Sequence, residues 1–398
     1  MDRRRPSPRP NHRRRGLTTP MVAVALLVAM LGIALIVDRL WLSSAKLELT
    51  AAAEAAAFAA ARELTVDAKL TEAEDSSLLL THARQAAGKI AAENLVAGGP
   101  VSLDANGGDV RFVKWQRSTV PGQPDEKVET DRDPSEVWIQ AQRTRFRGNP
   151  VALFMRELTR KPYGDVAVNV SVRLNNHIVG VRPFDDVAAP VLPLGIWKLD
   201  PSGKRKDTWQ TAIEDRQGRD QYGYDEDRRE VTSEADGIPE LSLITAKRNA
   251  PASDANVQLL DLGNDLDPAL VEQQILTGVT HEQLEKHNGE IRLDGSKAFS
   301  SLPQLDSRER TALEEHLGSQ RIALLYDQAT PVGKNGYHET TCVALVAIRV
   351  LAVNDLPDGR CQVIVQPTVM TSRMAIAETA PTTTDDGNRY LYRLELIH

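Results

Sequence analysis

The sequence predicts an α+β protein hung on one N-terminal helix. A transmembrane helix continues into an Ala-rich helix, and small mixed α/β sheet domain(s) come next in the extracytoplasmic region. Three observations predict this. Residues 21–37 are 17 uncharged, almost wholly apolar residues, and seven arginines precede Gly16. The helical pattern then continues with no Pro or Gly through residues 38–62, where residues 51–62 hold nine Ala with Glu54, Phe58 and Arg62. Further on, runs alternating apolar and polar residues are interleaved with capped helical segments.

The membrane segment follows from length. Residues 17–41 give 25 positions, which at about 1.5 Å each reach roughly 37 Å, enough for a hydrocarbon core of about 30 Å. Backbone amides in lipid must bond within their own segment, so this stretch must be helical. Asp38 and Arg39 fall at the far interface, where Arg39 can snorkel and Trp41 can lie among headgroups. Arg3, Arg4, Arg5, Arg9, Arg13, Arg14 and Arg15 lie on the N-terminal side, so the positive-inside rule keeps residues 1–16 in the cytoplasm and exports the chain beyond residue 42. The rival is a cleaved secretory signal ending at Ser43-Ser44-Ala45. The apolar run exceeds a usual signal core of about 7–15 residues, and the helix pattern passes through the cleavage point, so we read a single-pass, uncleaved signal-anchor.

Charge and cysteine content narrow the setting. Residues 1–42 hold eight Arg and two Asp, so the net charge of −7 leaves −13 on residues 43–398. A mildly acidic exported region has no global attraction for nucleic acid. The two cysteines, Cys342 and Cys361, lie where a disulfide is permitted. Closing a loop of about 20 residues would stabilise by roughly 3 kcal/mol. However, a simple hairpin about residues 354–359 would put Cys361 opposite a residue near Ala352. A possible disulfide and two unpaired buried thiols both stay open.

The divisions are a basic tail (1–16), the membrane helix (17–42), an extracytoplasmic domain beginning with the Ala-rich helix (43–198), a polar insertion or flexible loop (199–256) and a C-terminal α+β region (257–398). Ala is the strongest helix former, and the Ala-rich helix serves as a stalk, a docking helix or the first core helix. A second helix fits 75–94, with Thr71 and Glu74 spaced as a capping box. Residues 101–103 and 110–115 read as a hairpin joined by Asn106-Gly107. A strand at 137–146, a helix from Asn149-Pro150 with Val151, Phe154, Met155 and Leu158 on one face, and a strand at 166–174 read as a crossover between parallel strands. Val166, Val168, Val170, Val172 and Leu174 share one face of the last strand. Residues 199–256 mix Lys204-Arg-Lys, Glu214-Asp-Arg and Asp225-Glu-Asp-Arg-Arg-Glu with Gly and Ser and show little periodicity. Later elements are a strand at 257–262, helices opened by Asp267-Pro268 and Ser307 and closed by Gly278 and Gly318, and strands at 321–326, 342–353, 361–369 and 389–397.

No catalytic constellation emerges. His281 and His287 flank Glu282 and Glu285 at a spacing of six, which puts the rings on opposed helix faces rather than one turn apart as zinc requires. Asp294-Gly-Ser296 lacks the further carboxylates of a calcium loop and reads as an exposed turn. Arg143, Arg145 and Arg147 alternate along a strand and read as a solvated edge. Glycine-rich phosphate loops, the G-x-S-x-G elbow and C-x-x-C are absent from the sequence. No cofactor and no metal are expected, and the chain is read as not an enzyme. The rival is a membrane-tethered periplasmic sensor or enzyme of unknown substrate, which would need a concave pocket with convergent polar groups.

Arg15-Gly16 before the membrane helix, then Asp38-Arg39-Leu-Trp41, then Leu49-Thr-Ala-Ala-Ala-Glu-Ala-Ala-Ala-Phe-Ala-Ala-Ala-Arg-Glu-Leu64, resembles the start of TadE/TadG-like proteins of Flp (tight adherence) pilus systems. The strand, helix and strand of 137–174 and the subsequent Pro190–Ile196 run also resemble that family's extracytoplasmic domain. The resemblance implies a bacterial inner-membrane protein with a cytoplasmic N-terminus that assembles or anchors a pilus or related cell-envelope complex. Its partners would be other assembly proteins, met through the transmembrane and Ala-rich helices. Two departures limit it. Processed pilin-like members carry Glu five residues after the cleavage-site Gly, and here that position is Met21. The D-x-S-x-S metal motif of some TadG-like proteins is also missing, so metal-dependent adhesion is not implied.

Overall fold

Helix α1 runs unbroken from Thr18 to Glu63 in the computed structural model, which describes residues 18–71, 76–104, 108–116, 126–247, 254–333, 336–378 and 387–397. The arginine tail, Glu74 of the expected capping box and the Asn106-Gly107 turn lie outside the described residues. The two halves of α1 have opposite surroundings. Met21, Val22, Val24, Leu26, Leu27, Val28 and Ile33 are each more than half exposed. Ala45, Leu49, Ala52, Ala53, Ala56, Ala57, Ala60 and Ala61 are buried. Their recurrence every three to four residues makes one stripe of small side chains along the helix, which permits close packing.

A 3-10 turn, Asp67–Leu70, comes after α1, and then helix α2 (Ser76–Glu93) buries Leu80, Ala83, Ala87 and Ala91 on one face. Residues 101–104 form no strand, so the expected hairpin is absent; Val110–Gln116 pairs instead with Glu126–Glu129. These two strands end a six-stranded sheet in the order 370–371, 391–397, 166–175, 136–143, 110–116, 126–129. The five apolar residues from Val166 to Leu174 are all buried, as their alternation requires.

The expected crossover is corrected. Leu174 donates its N–H to the Ser135 carbonyl, and Arg145 meets Asp165, so strands Glu136–Arg143 and Val166–Asn175 run antiparallel. Between them lies a short hairpin, Val151–Ala152 with Tyr163–Gly164, and a single helical turn, α3 (Arg156–Thr159). No amphipathic helix forms there: Val151 is buried, whereas Phe154, Met155 and Leu158 are exposed by 63%, 37% and 43%.

A second, seven-stranded sheet runs in the order 241–244, 361–367, 337–355, 297–302, 257–260, 191–197, 320–332. Strand Gln320–Val332 also pairs with Tyr337–Asp355, so five of these strands close into a ring. Antiparallel neighbours alternate in direction, so a ring of five needs a parallel pair. That pair is Val191–Trp197 with Gln320–Val332. Val191, Leu260, Phe299, Ile322, Leu324, Tyr326, Cys342 and Leu345 share one apolar core. Helix α4 (Pro268–Thr277) and helix α5 (Ser307–Glu314) pack on each other. The Asp267 carboxylate caps α4, and Gly278 ends it at φ +90°, where a Cβ would fall 2.1 Å from the Ala189 carbonyl oxygen. At α5, Asp306 and Glu309 form a reciprocal capping box. Burial first, and then the Asp306 carboxyl beside it, push the Glu309 pKa up to about 7.

Residues 199–256 are not a flexible loop over their described part. They supply a buried Trp209, one turn of π-helix (Gln210–Glu214), a hairpin (Gly223–Asp225 with Glu230–Thr232) and the Leu241–Ile244 strand of the seven-stranded sheet. The charged runs at 204–206 and 226–230 are largely exposed, but other acidic residues of the segment satisfy backbone groups. Asp200 accepts N–H bonds from Ser202, Lys204 and Arg205 at 2.9, 3.0 and 2.8 Å, and the Arg205 amide above all holds its pKa down to about 2. Glu240 accepts from the amides of Gln221 and Tyr222.

The chain divides into two compact units. One comprises residues 1–56, 87–110 and 138–170, and the other comprises residues 57–86, 111–137 and 171–398.

Candidate functional site

In the first unit, α1 is gripped where its lipid-soluble half ends. Asp38 is 5% exposed, and its carboxylate accepts the Met155 N–H at 3.0 Å and the Thr159 hydroxyl at 3.3 Å. One carboxylate on α1 thus holds residues at both ends of the single turn of α3. One turn on, Trp41 donates its indole N–H to the Ala152 carbonyl at 3.0 Å and tilts against Phe154 with ring centroids 4.6 Å apart. Leu42 lies against Gly164, where an added Cβ would fall 2.5 Å from a Leu42 methyl carbon, so a larger residue would have to push the Leu42 side chain aside. Glu48 accepts the Ala97 N–H at 2.7 Å. The helix is therefore held between residues 38 and 48 by four side chains that are mostly polar or aromatic.

A cavity of about 390 Å³ opens beside this grip, lined by Leu42, Arg145, Leu153, Arg160, Lys161, Pro162, Tyr163 and Gly164. Arg145 is matched by Asp165 at 3.1 and 3.0 Å, and that side-chain bond holds the Asp165 carboxyl below its usual range. Arg160 and Lys161 meet no carboxylate among the described residues. Arg160 also sits in the left-handed backbone region at φ 56°, which is unusual for a non-glycine residue.

In the second unit, the turn after α1 is fastened by Asp67. Its carboxylate accepts from Arg349 at 2.8 Å, from the Thr368 hydroxyl at 2.6 Å and from the Val369 amide at 2.6 Å. Arg349 is 3% exposed, donates to the Gly318 carbonyl at 2.6 Å, and lies 3.5 Å from the Tyr224 ring centroid. A cavity of about 500 Å³ in the same unit is lined by Thr71, Arg216, Asp220, Asp236, Gly237 and neighbours. Its carboxylates are engaged by backbone: Asp220 takes the amides of Asp236 and Gly237, and Asp236 takes that of Ile238.

Residues 16–63 match the TadE/G-like Flp pilus-assembly family. The TadE/G-like match begins at Gly16 and ends with α1, so it takes in Asp38, Trp41 and the Ala stripe and leaves the sheets outside. No curated protein and no solved structure matches the chain.

The other sequence candidates scatter. Cys342 and Cys361 are both free and buried, so the possible disulfide is not formed. Register is the reason: Cys361 lies opposite Asp355, whereas Cys342 lies opposite Tyr326 and Lys297. The two positions are therefore separated by 13 residues of one long strand (342 to 355), far beyond the Cα spacing of about 7 Å that a disulfide can bridge. Burial pushes the thiols up to about 12 for Cys342 and about 11 for Cys361. Arg143, Arg145 and Arg147 do not share a solvated edge. The strand stops at Arg143, which bonds the Asn149 carbonyl, and Arg147 makes a two-pronged pair with Asp109 at 2.8 and 2.6 Å. His287 packs edge-on to Phe299, with ring centroids 5.3 Å apart. Among the described residues no group of three His, Cys, Asp or Glu is placed to hold a metal. Sequence reasoning missed the pairing of Asp38 with residues 155–159, because nothing local signals a partner 117 positions away.

Proposed function

We propose that the chain is a membrane-anchored, noncatalytic component of Flp/Tad-type pilus assembly or of a related bacterial envelope complex. Its N-terminus lies in the cytoplasm and its sheets lie outside the inner membrane. The observation that carries the proposal is the two-faced α1, within a segment matched by the TadE/G-like family. The half before Asp38 is long and apolar enough to span a bilayer and has almost no protein cover, while the half after it is buried along its Ala stripe. An apolar helix uncovered by protein requires lipid or another apolar helix around it. Unbroken continuation of that helix into the folded region ties the fold to the bilayer surface, as a scaffold requires. The engagement of the larger cavity's carboxylates by backbone amides supports a noncatalytic role. Partners would be other assembly proteins, met along the transmembrane helix and the Ala-rich helix.

The test is deletion of the gene, then electron microscopy of surface fibres and isolation of envelope complexes, with complementation by the full chain. Loss of a fibre or complex, restored by complementation, is expected. Unchanged assembly of every fibre and complex would overturn the proposal.

A further inference from the structure

We propose that the cavity beside Leu42 binds the headgroup of an anionic phospholipid from the leaflet nearest the folded region. This rests on α1 spanning the bilayer. Centring a hydrocarbon core of about 30 Å on residues 17–41, at about 1.5 Å per residue, puts its edge near residue 39. Asp38 sits at that edge and is bonded to Met155 and Thr159, so the loop that lines the cavity is pinned at the same depth. Leu42 lies about 5 Å further along the helix axis, at the level of lipid phosphates.

The chemistry of the loop fits that depth. Residues 145–165 carry Arg145, Arg147, Arg156, Arg160 and Lys161 against Glu157 and Asp165, a net charge of +3 on an exported region that is otherwise mildly acidic. Arg160 and Lys161 line the cavity without a carboxylate among the described residues, and Arg145 is held there by Asp165. Two guanidinium groups and one ammonium suit a phosphodiester that carries no compensating cation of its own. The same short loop exposes Phe154, Met155, Leu158 and Tyr163, and Trp41 packs against Phe154. Aromatic and apolar side chains next to unmatched cations, at the end of a membrane helix, form an interfacial surface, and the cavity between them is open to one lipid headgroup. The fastening of this loop to α1 by Asp38 and Trp41 then has a purpose beyond stability, since it holds the cations at headgroup height.

The experiment uses the full chain purified in mild detergent, with native mass spectrometry counting retained phosphatidylglycerol and phosphatidylcholine. Inorganic phosphate serves as a separate arm. Wild type is expected to retain phosphatidylglycerol in preference to phosphatidylcholine. At a factor of about five per cation, Arg160→Gln with Lys161→Gln should weaken that retention by about 25-fold, and Arg160→Lys with Lys161→Arg should preserve it. Both side chains are exposed, so both variants should keep the wild-type unfolding temperature. Equal retention of the two lipids by wild type, undiminished phosphatidylglycerol on the neutral variant, or displacement of the lipid by inorganic phosphate would each overturn the proposal. Alkaline carbonate extraction of cell membranes tests the underlying reading separately. Release of the chain would show that α1 does not span the bilayer, whereas a retained chain with no lipid preference would refute the headgroup site alone.

Discussion

Replacing Asp67 by Ala strands a buried cation. The Arg349 guanidinium is 3% exposed, and Asp67 is its only carboxylate partner among the described residues. Removing one member of a buried ion pair costs about 3–5 kcal/mol, because the other charge stays desolvated and unpaired. The Thr368 hydroxyl and the Val369 amide lose the same acceptor. At roughly 2 °C per kcal/mol for a unit of this size, Asp67→Ala should lower the unfolding midpoint by about 6–10 °C. Adding Arg349→Met removes the stranded charge and leaves an apolar side chain against Tyr224. The double variant should therefore recover about 2 kcal/mol, or roughly 4 °C, relative to the single one, and keep the cost of the two unsatisfied donors and of the Gly318 carbonyl, which loses its Arg349 donor. The assay is thermal unfolding of wild type, both single variants and the double variant in one detergent, read by far-UV circular dichroism and treated as a double-mutant cycle. If Asp67→Ala shifts the midpoint by less than about 2 °C, or if the double variant unfolds below Asp67→Ala, then the pair does not fasten the turn after α1 and the reasoning fails.

The same geometry predicts other outcomes. Asp38→Ala should release the loop at 153–164 by about 1–3 kcal/mol, so trypsin should cut at Arg156 or Arg160 at least several-fold faster; an unchanged cleavage rate would remove the grip from the account. Ala56→Leu overfills the buried stripe and should destabilise by about 1–3 kcal/mol, whereas Ala51→Leu on the exposed side should be nearly neutral, and equal unfolding midpoints would show that the stripe is not packed. Cys342 and Cys361 should resist maleimide labelling in the native chain and react after denaturation, with identical mobility on reducing and non-reducing gels. Glu309 has a folded pKa of about 7, above its ordinary value of 4.5. Its contribution to stability is therefore fully present below pH 4.5 and lost as pH rises through about 7. Glu309→Gln should flatten the fall in unfolding midpoint across that window, and parallel pH profiles for the two proteins would refute the assignment.

Local chemistry made much of the helix and strand content legible. Asp267-Pro268 and Gly278 marked both ends of α4, because a carboxylate cap, a fixed proline φ and a left-handed glycine act within a few residues. The alternation from Val166 to Leu174 gave a strand with one buried face for the same reason. The apolar set Val151, Phe154, Met155 and Leu158 misled, because helical spacing reports which residues are apolar and not which neighbours they meet. Here Phe154 meets Trp41 of α1 rather than a sheet, and the Met155 amide meets Asp38. The charged segment at 199–256 misled in the opposite sense, since Asp200 and Glu240 serve nearby amides rather than water.

The sequence by itself determined the two-phase character of α1. Apolarity over 21–37, helix propensity over 51–62 and the absence of any breaker between them are properties of the chain alone. Tertiary structure decided everything that depends on distant pairing. The antiparallel sense of the 136–143 and 166–175 strands, the closed ring of five strands and the separation of the two thiols are fixed by register across long loops. The clasp of Asp38 on Met155 and Thr159, and of Asp67 on Arg349, joins groups more than a hundred residues apart. Such contacts are set by how whole elements pack, and nothing within the reach of one turn or one strand encodes them.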